Sequence, residues 1–262
     1  KLKENDRYSV ALVGTRTATD YGRQMAEKFS HDFAKYGITT VSGLARGIDT
    51  AVHAATLKGG GRTIGVVGSG ADVIYPPENR DLAERIIADG AIISEFKMGA
   101  KPDAPNFPRR NRIVSGISLG TIIIETAVEG GAMITASLAF DQNREVFAVP
   151  GMVNEKRTSG CNLLIKQDKA MLVESADDVV EALANQLKPI LKSPESKKKQ
   201  PPLQLSVFEQ KLYEAMGDAP IHIDALAEKS GFSTADALVQ LLSLEFKGAI
   251  RQSPGKMFRR VS

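Results

Sequence analysis

The sequence is short of the residues that most familiar catalytic and metal chemistry requires. Among 262 residues there is one cysteine, Cys161, and three histidines, His31, His53 and His222. A single thiol excludes an internal disulfide and any cysteine-based zinc cluster, and it fits a reducing compartment. No histidine stands near Cys161 in the chain, so a small, partly buried thiol describes it better than a nucleophile. No apolar run approaches the roughly 20 residues of a membrane span, and the opening KLKENDR does not have the pattern of a secretory leader. A cytoplasmic protein without a membrane partner is the expectation. H-E-x-x-H, G-x-S-x-G and any carboxylate cluster at metal-binding spacing are missing, as is an internal repeat. Neither a metal, a cofactor nor a catalytic apparatus is therefore expected. Apolar residues make up 42% and charged residues 25%, the profile of an ordinary globular chain. A net charge of +3 is too mild to name a partner, so the placement of charge has to do so.

What is present is a regular alternation. YSVALVG (8–14), ITTVSG (38–43), RTIGVVG (62–68), AIISE (91–95), GTIIIE (120–125) and EVFAVPG (145–151) are short apolar runs, several rich in β-branched residues. Between them lie helix-like segments such as DYGRQMAEKFSHDFAKYG, with Asp20 as candidate cap and Gly37 as stop. Strands apolar on both faces, alternating with helices, predict a doubly wound, mostly parallel α/β sheet over residues 1–187. KPILKSPESKKKQPP (188–202) has little to bury and reads as a flexible linker. Residues 203–262 then give three amphipathic helical segments and two short strand-like runs joined by PGK. That is the pattern of a small winged helix-turn-helix domain, a module that binds duplex DNA in some proteins and only proteins in others.

Three strand-to-helix turns carry cations. The first strand ends in VGTRTATDYG. It lacks the second glycine of a dinucleotide fingerprint and the lysine of a Walker A loop, but Gly14, Thr15 and Arg16 suit a lone backbone phosphate. The second ends in SGLARGID, where Ser42, Gly43 and Arg46 repeat that chemistry. NFPRRNR then sets Arg109, Arg110 and Arg112 at a helix start, where each cation opposes the helix dipole by roughly 0.3–1 kcal/mol. An anionic chain across the site would offset that cost, with Phe107 as a surface for base stacking. Asp49 and His53, four apart, read as a helical pair or core contact. In EGGAMITASLAF, Gly131 permits close backbone approach.

In this order, VGTR…YG, SGLARGIDTAVH, GSGADVIYPPEN, ISE, FPRRNRIVSGIS, EGGAMITASLA and VFAVPG…SGCNLLI closely resemble the DNA processing protein A family, also called DprA or Smf. The likeness runs from about Ser9 to Leu183. It implies an extended Rossmann-like domain that binds single-stranded DNA, protects incoming strands in natural transformation, loads the RecA recombinase on them in homologous recombination, and forms homodimers. Carried over by motif, Gly14, Thr15, Arg16, Ser42, Gly43 and Arg46 fall in the two phosphate-holding turns. Phe107, Arg109, Asn111 and Arg112 fall in the F-P-x-R-N-R segment that lines the strand-binding pocket. Gly131 falls in a motif more often written S-G-S, here GGA, so the serine hydroxyl is missing. Lys166 is added to the set. Many members also carry an N-terminal helical domain, which this chain, beginning almost at its first strand, is expected to lack or to have lost. The C-terminal winged helix of many members agrees with the reading of 203–262, with duplex DNA or a protein as its partner.

Two other readings compete. GTIIIE followed by EGG resembles the PGG-x-GT-x-x-E signature of nucleotide phosphoribohydrolases, with Glu125 as the acid–base. The order is inverted, however: the glycines follow the glutamate instead of preceding the threonine. A winged-helix transcription regulator with an α/β ligand sensor is the other.

Overall fold

The structure, a computed structural model, describes residues 1–191, 205–217, 220–247, 249–253 and 255–260. Two compact units part between Ser193 and Pro194. In the larger, the chain runs β1 (Ser9–Gly14), α1 (Asp20–Tyr36), β2 (Thr39–Ser42), α2 (Ile48–Lys58), β3 (Thr63–Val66), α3 (Arg80–Asp89), β4 (Ala91–Ile93) and α4 (Asn106–Gly116). It continues through β5 (Gly120–Glu125), α5 (Gly131–Asp141), β6 (Glu145–Ala148), α6 (Ser159–Lys166), β7 (Met171–Leu172), α7 (Ala176–Ala182) and α8 (Ala184–Leu187). The strands make one seven-stranded sheet in the order β4-β3-β2-β1-β5-β6-β7, with every pairing parallel. This is the doubly wound, extended Rossmann-like architecture.

Strand periodicity explains the two covered faces. Val10 and Leu12 of β1 and Ile122 and Ile124 of β5 bury against Phe29 and Phe33 of α1 on one side. Their alternates, Ala11, Val13 and Ile123, bury on the other with Val114 of α4, Ala136 of α5 and Leu164 of α6. Each large side chain so removed from water contributes roughly 1.5–3 kcal/mol. The helix ends follow local chemistry. The α1 cap is Thr19, one residue before the expected Asp20, and its hydroxyl accepts from the Gly22 amide at 3.0 Å. Gly37, at φ 71°, closes the helix in the left-handed region that glycine tolerates.

The smaller unit contains α9 (Val207–Ala215), β8 (Ile221–His222), α10 (Ile223–Ser230), α11 (Thr234–Phe246), β9 (Ile250–Ser253) and β10 (Met257–Arg260). Three helices pack on an antiparallel sheet ordered β8-β10-β9, with Leu212, Leu226, Leu241, Leu244 and Phe258 in the core. This is a winged helix-turn-helix. At the start of α9, Ser206 and Glu209 cap each other reciprocally: the Ser206 amide donates to Glu209 Oε2 at 2.6 Å and the Glu209 amide to Ser206 Oγ at 3.2 Å.

Of the expected linker, residues 192–202 lie outside the described residues, as does Pro254 of the PGK turn. Residues 188–191 stay with the large unit: the Ile190 and Leu191 amides both donate to Leu187 O at 2.9 Å, and their side chains pack on its core. The two-residue strands β7 and β8 were not anticipated.

Candidate nucleic-acid interface

The chain lays β2, β3 and β4 outward from one side of β1, then returns to place β5, β6 and β7 on the other. Loops leaving the carboxyl ends of β1 and β5 therefore diverge, and a crevice opens at that reversal. Here it is a cleft of about 890 Å³. It is lined by Gly14 to Thr17 at the end of β1, Gly43 and Ala45 after β2, Phe107 and Asn111 of α4, Gly130 and Gly131 at the start of α5, and Lys156 and Arg157 after β6.

Arg16 is exposed at the first loop, its guanidinium carbon 5.2 Å from the centre of the Phe107 ring. Phe107 in turn leans on Tyr75, with ring centres 5.9 Å apart. A cation and two aromatic rings thus form one side of the cleft, the combination that takes phosphate and base together. Gly14 owes its lack of a side chain to packing: a Cβ there would stand 2.5 Å from Cγ1 of Ile48. At Gly131 a Cβ would meet nothing within 4 Å, so that residue faces open space at the start of α5.

Beneath the cleft lies the answer to the crowded arginines of α4. Arg110 is 4% exposed and donates to the carbonyls of Gly43 and Val66. Asp49, also buried, accepts from the amides of Gly43 and Ala45 at 3.1 and 3.2 Å. Gly43 is squeezed between them, since a Cβ on it would lie 2.6 Å from Arg110 Nη2 and 2.7 Å from Asp49 Oδ2. Burial lowers Arg110 to a pKa of about 10, with the Asp49 charge opposing the drop, so the guanidinium is still cationic at neutral pH. Burial raises the Asp49 carboxyl, against the pull of Arg110 and the two amides. One of the three arginines is thus an internal strut that joins α4 to the ends of β2 and β3.

The other two are not among the residues that line the cleft. Arg109 sits over Phe96 at 5.4 Å, and Arg112 is ion-paired with Glu95. Arg46 lines a recess that adjoins the cleft with Arg16, Gly43, Tyr75 and Phe107, and its Nη2 meets Glu78 Oε1 at 2.7 Å on the open surface. That hydrogen bond raises the Arg46 pKa and lowers that of Glu78, but an exposed pair of this kind yields readily to a competing anion. Ser42 is fully buried, its hydroxyl donating to Leu12 O at 2.7 Å, so it supports the loop from below and offers nothing to a ligand. Lys166 is exposed at the far end of α6, seven residues and so about 10 Å along the helix from Ser159 at the cleft end.

Gly14, Thr15, Arg16, Gly43, Phe107, Asn111 and Gly131 are therefore gathered along one cleft, with Arg46 beside it, whereas Ser42, Arg109, Arg112 and Lys166 are not among its lining residues. Lys156 and Arg157, both exposed there, escaped the sequence reading. Their only sequence signal was the KR pair in the glycine-containing loop before SGCN. Asn79 was missed too: its side-chain amide donates to Leu44 O and Thr50 Oγ1, each at 2.9 Å, and so clamps the second loop.

Two residues considered for chemistry are committed elsewhere. Glu125 is fully buried and accepts from the Thr19 amide at 2.9 Å and the Thr19 hydroxyl at 2.7 Å. Cys161 is buried, and burial pushes its thiol up to about 12. Among the described residues no cluster of histidine, cysteine and carboxylate groups is arranged to hold a metal, and no helix is long and apolar enough to cross a membrane.

The family model described as DNA recombination-mediator protein A matches residues 1–184, and that of the DprA winged helix domain matches residues 196–256. The chain belongs to this family. It is 37% identical over 254 residues to protein Smf of Escherichia coli, across 96% of this chain and 68% of that one. It is 42% identical over 174 residues to DNA processing protein DprA of Bacillus subtilis, across 66% of this chain and 58% of that one. Among solved structures, DprA of Streptococcus pneumoniae superposes with a TM-score of 0.63 at 38% identity, covering 68% of this chain and 62% of that one. DNA processing protein A of Helicobacter pylori, whose structure was described for its single-stranded DNA binding mode, gives 0.63 at 29% identity, over 69% and 81% of the two chains.

Proposed function

We propose that this family member binds single-stranded DNA along the crevice between the β1 and β5 ends, protects incoming strands, and loads the RecA recombinase on them during natural transformation and homologous recombination. It does so in the cytoplasm, as a homodimer, and without a catalytic step. The observation that carries the binding claim is the convergence of Arg16, Lys156 and Arg157 with Phe107 on one cleft, built from loops that are far apart in sequence. Guanidinium and ammonium groups hold phosphates, while a ring beside them holds an unpaired base that a duplex would keep stacked. The single-strand binding described for the Helicobacter pylori relative supports the same reading.

The phosphoribohydrolase reading asks Glu125 to exchange protons with a substrate. Its carboxylate instead caps the turn into α1 through Thr19, out of reach of solvent. For the winged helix we favour a protein partner over duplex DNA. The helix that would enter a major groove, α11, contains no lysine or arginine and exposes Leu238, Val239 and Leu242 beside Asp236. That face offers no cation to a phosphate backbone. The same feature counts against a sequence-reading transcription regulator.

The test is competition between oligo-dT and a duplex of equal length, on the full chain and on a version ending at residue 191. Oligo-dT should displace the duplex from both proteins. Equal competition by the two ligands, or a preference for duplex that vanishes on truncation, would contradict the reading.

A further inference from the structure

The loop from β6 to α6 carries a feature that phosphate binding does not use. At its crest Met152 is 75% and Val153 95% exposed. The backbone beneath them is pinned. The Asn162 side chain clasps Gly151 from both sides, accepting from its amide at 3.1 Å and donating to its carbonyl at 3.0 Å. The Thr158 hydroxyl, on a residue only 3% exposed, lies 2.8 Å from Met152 O and 3.0 Å from Glu155 O. The Glu155 amide closes the turn onto Met152 O at 3.1 Å, and Tyr21 anchors Pro150 O at 2.7 Å. A loop fixed at this many points does not fold its apolar tip back into the core.

Isolated exposed apolar residues are ordinary. Two adjacent ones on a pinned turn, outside the cleft lining but three residues before a pair of cations that line it, are placed at its rim for a ligand with both charge and apolar surface. We infer that Met152 and Val153 contact the bases of the strand whose phosphates Lys156 and Arg157 hold, and so let the cleft distinguish an unpaired strand from a duplex. The inference rests on the single-strand reading above and names what that site recognises beyond charge. Unpaired bases present apolar faces, whereas a duplex hides them within its stack, and methionine is among the side chains that insert against bases.

The experiment measures binding by the full chain of oligo-dT and of an abasic oligonucleotide with the same length and charge. The wild type should prefer oligo-dT. The double substitution Met152→Ser with Val153→Ser should weaken oligo-dT binding by about 2- to 10-fold, the range of a methionine–ring contact. Abasic binding and the salt dependence should not change. Met152→Phe should retain the preference for bases. An equal loss on both strands, no loss on either, or a change in self-association with unchanged affinity would each overturn the inference. Failure of the wild type to bind either strand would instead remove the single-strand reading, and this inference with it.

Discussion

A guanidinium taken out of water is costly unless its charge and hydrogen-bond donors are met, and Arg110 meets them with two carbonyls and the nearby Asp49 carboxylate. Each charge offsets the burial of the other, so removing one member leaves the other with its hydrogen bonds but without its counter-charge. Arg110→Met alone, or Asp49→Asn alone, should therefore cost about 3–5 kcal/mol of stability in urea unfolding, and the double substitution clearly less than the sum. Strict additivity would show that the two do not act as a unit. At this scale the sequence is least legible. Three arginines in a row of four carry no mark of which one turns inward; that is decided by the space over Gly43, a residue 67 positions away from Arg110. Arg16 and Phe107 were legible because a cation after a strand-ending glycine, and an aromatic among cations, are chemical patterns. Lys156 and Arg157 were not, since their loop joins the cleft only through the order of the strands.

The loops between elements show how the site is held. Leu44 sits at φ 58°, the left-handed region that costs a branched side chain about 1–3 kcal/mol, and Asn79 and the buried pair keep it there. Asn79→Ala should speed amide exchange across residues 43–47 and lower oligo-dT affinity, with an unchanged salt slope, because no charge is lost. In the winged helix, Glu209 is held down to about 2 by hydrogen bonds from Lys247 Nζ at 2.7 Å, from the Ser243 hydroxyl at 2.6 Å and from the Ser206 amide. A carboxyl depressed in the folded state adds stability that is complete above its unfolded value near 4.5 and is lost as the pH falls through about 2. The difference in melting temperature between wild type and Glu209→Gln, followed by calorimetry of the full chain, should be large at pH 7 and close over that window. A constant gap would contradict this. The major elements themselves were plain in the sequence: β1 and β5 as β-branched apolar runs, α1 as a periodic segment stopped by Gly37. The strands β7 and β8 were missed because two residues cannot display a period, and only their pairing with Phe147 and Ala148 of β6 and with Met257 and Phe258 of β10 defines them.

Across the whole molecule, a topological reversal does what no single motif does. It brings residues 16, 107, 131 and 156 to one crevice while the small unit folds around a core of its own. Charge at the crevice is local, which is why a net charge of +3 could not reveal it. If phosphates are held there, the affinity for a single strand must fall with salt, by about 0.7 in logarithmic slope for each contact. The most direct measurement is that slope for oligo-dT with wild type, Arg16→Ala and Arg112→Ala. The expected result is a slope shallower by close to one contact in Arg16→Ala, with weaker binding, and a wild-type slope in Arg112→Ala, whose side chain pairs with Glu95 and does not line the cleft. A wild-type slope and affinity in Arg16→Ala would contradict the proposed path of the strand.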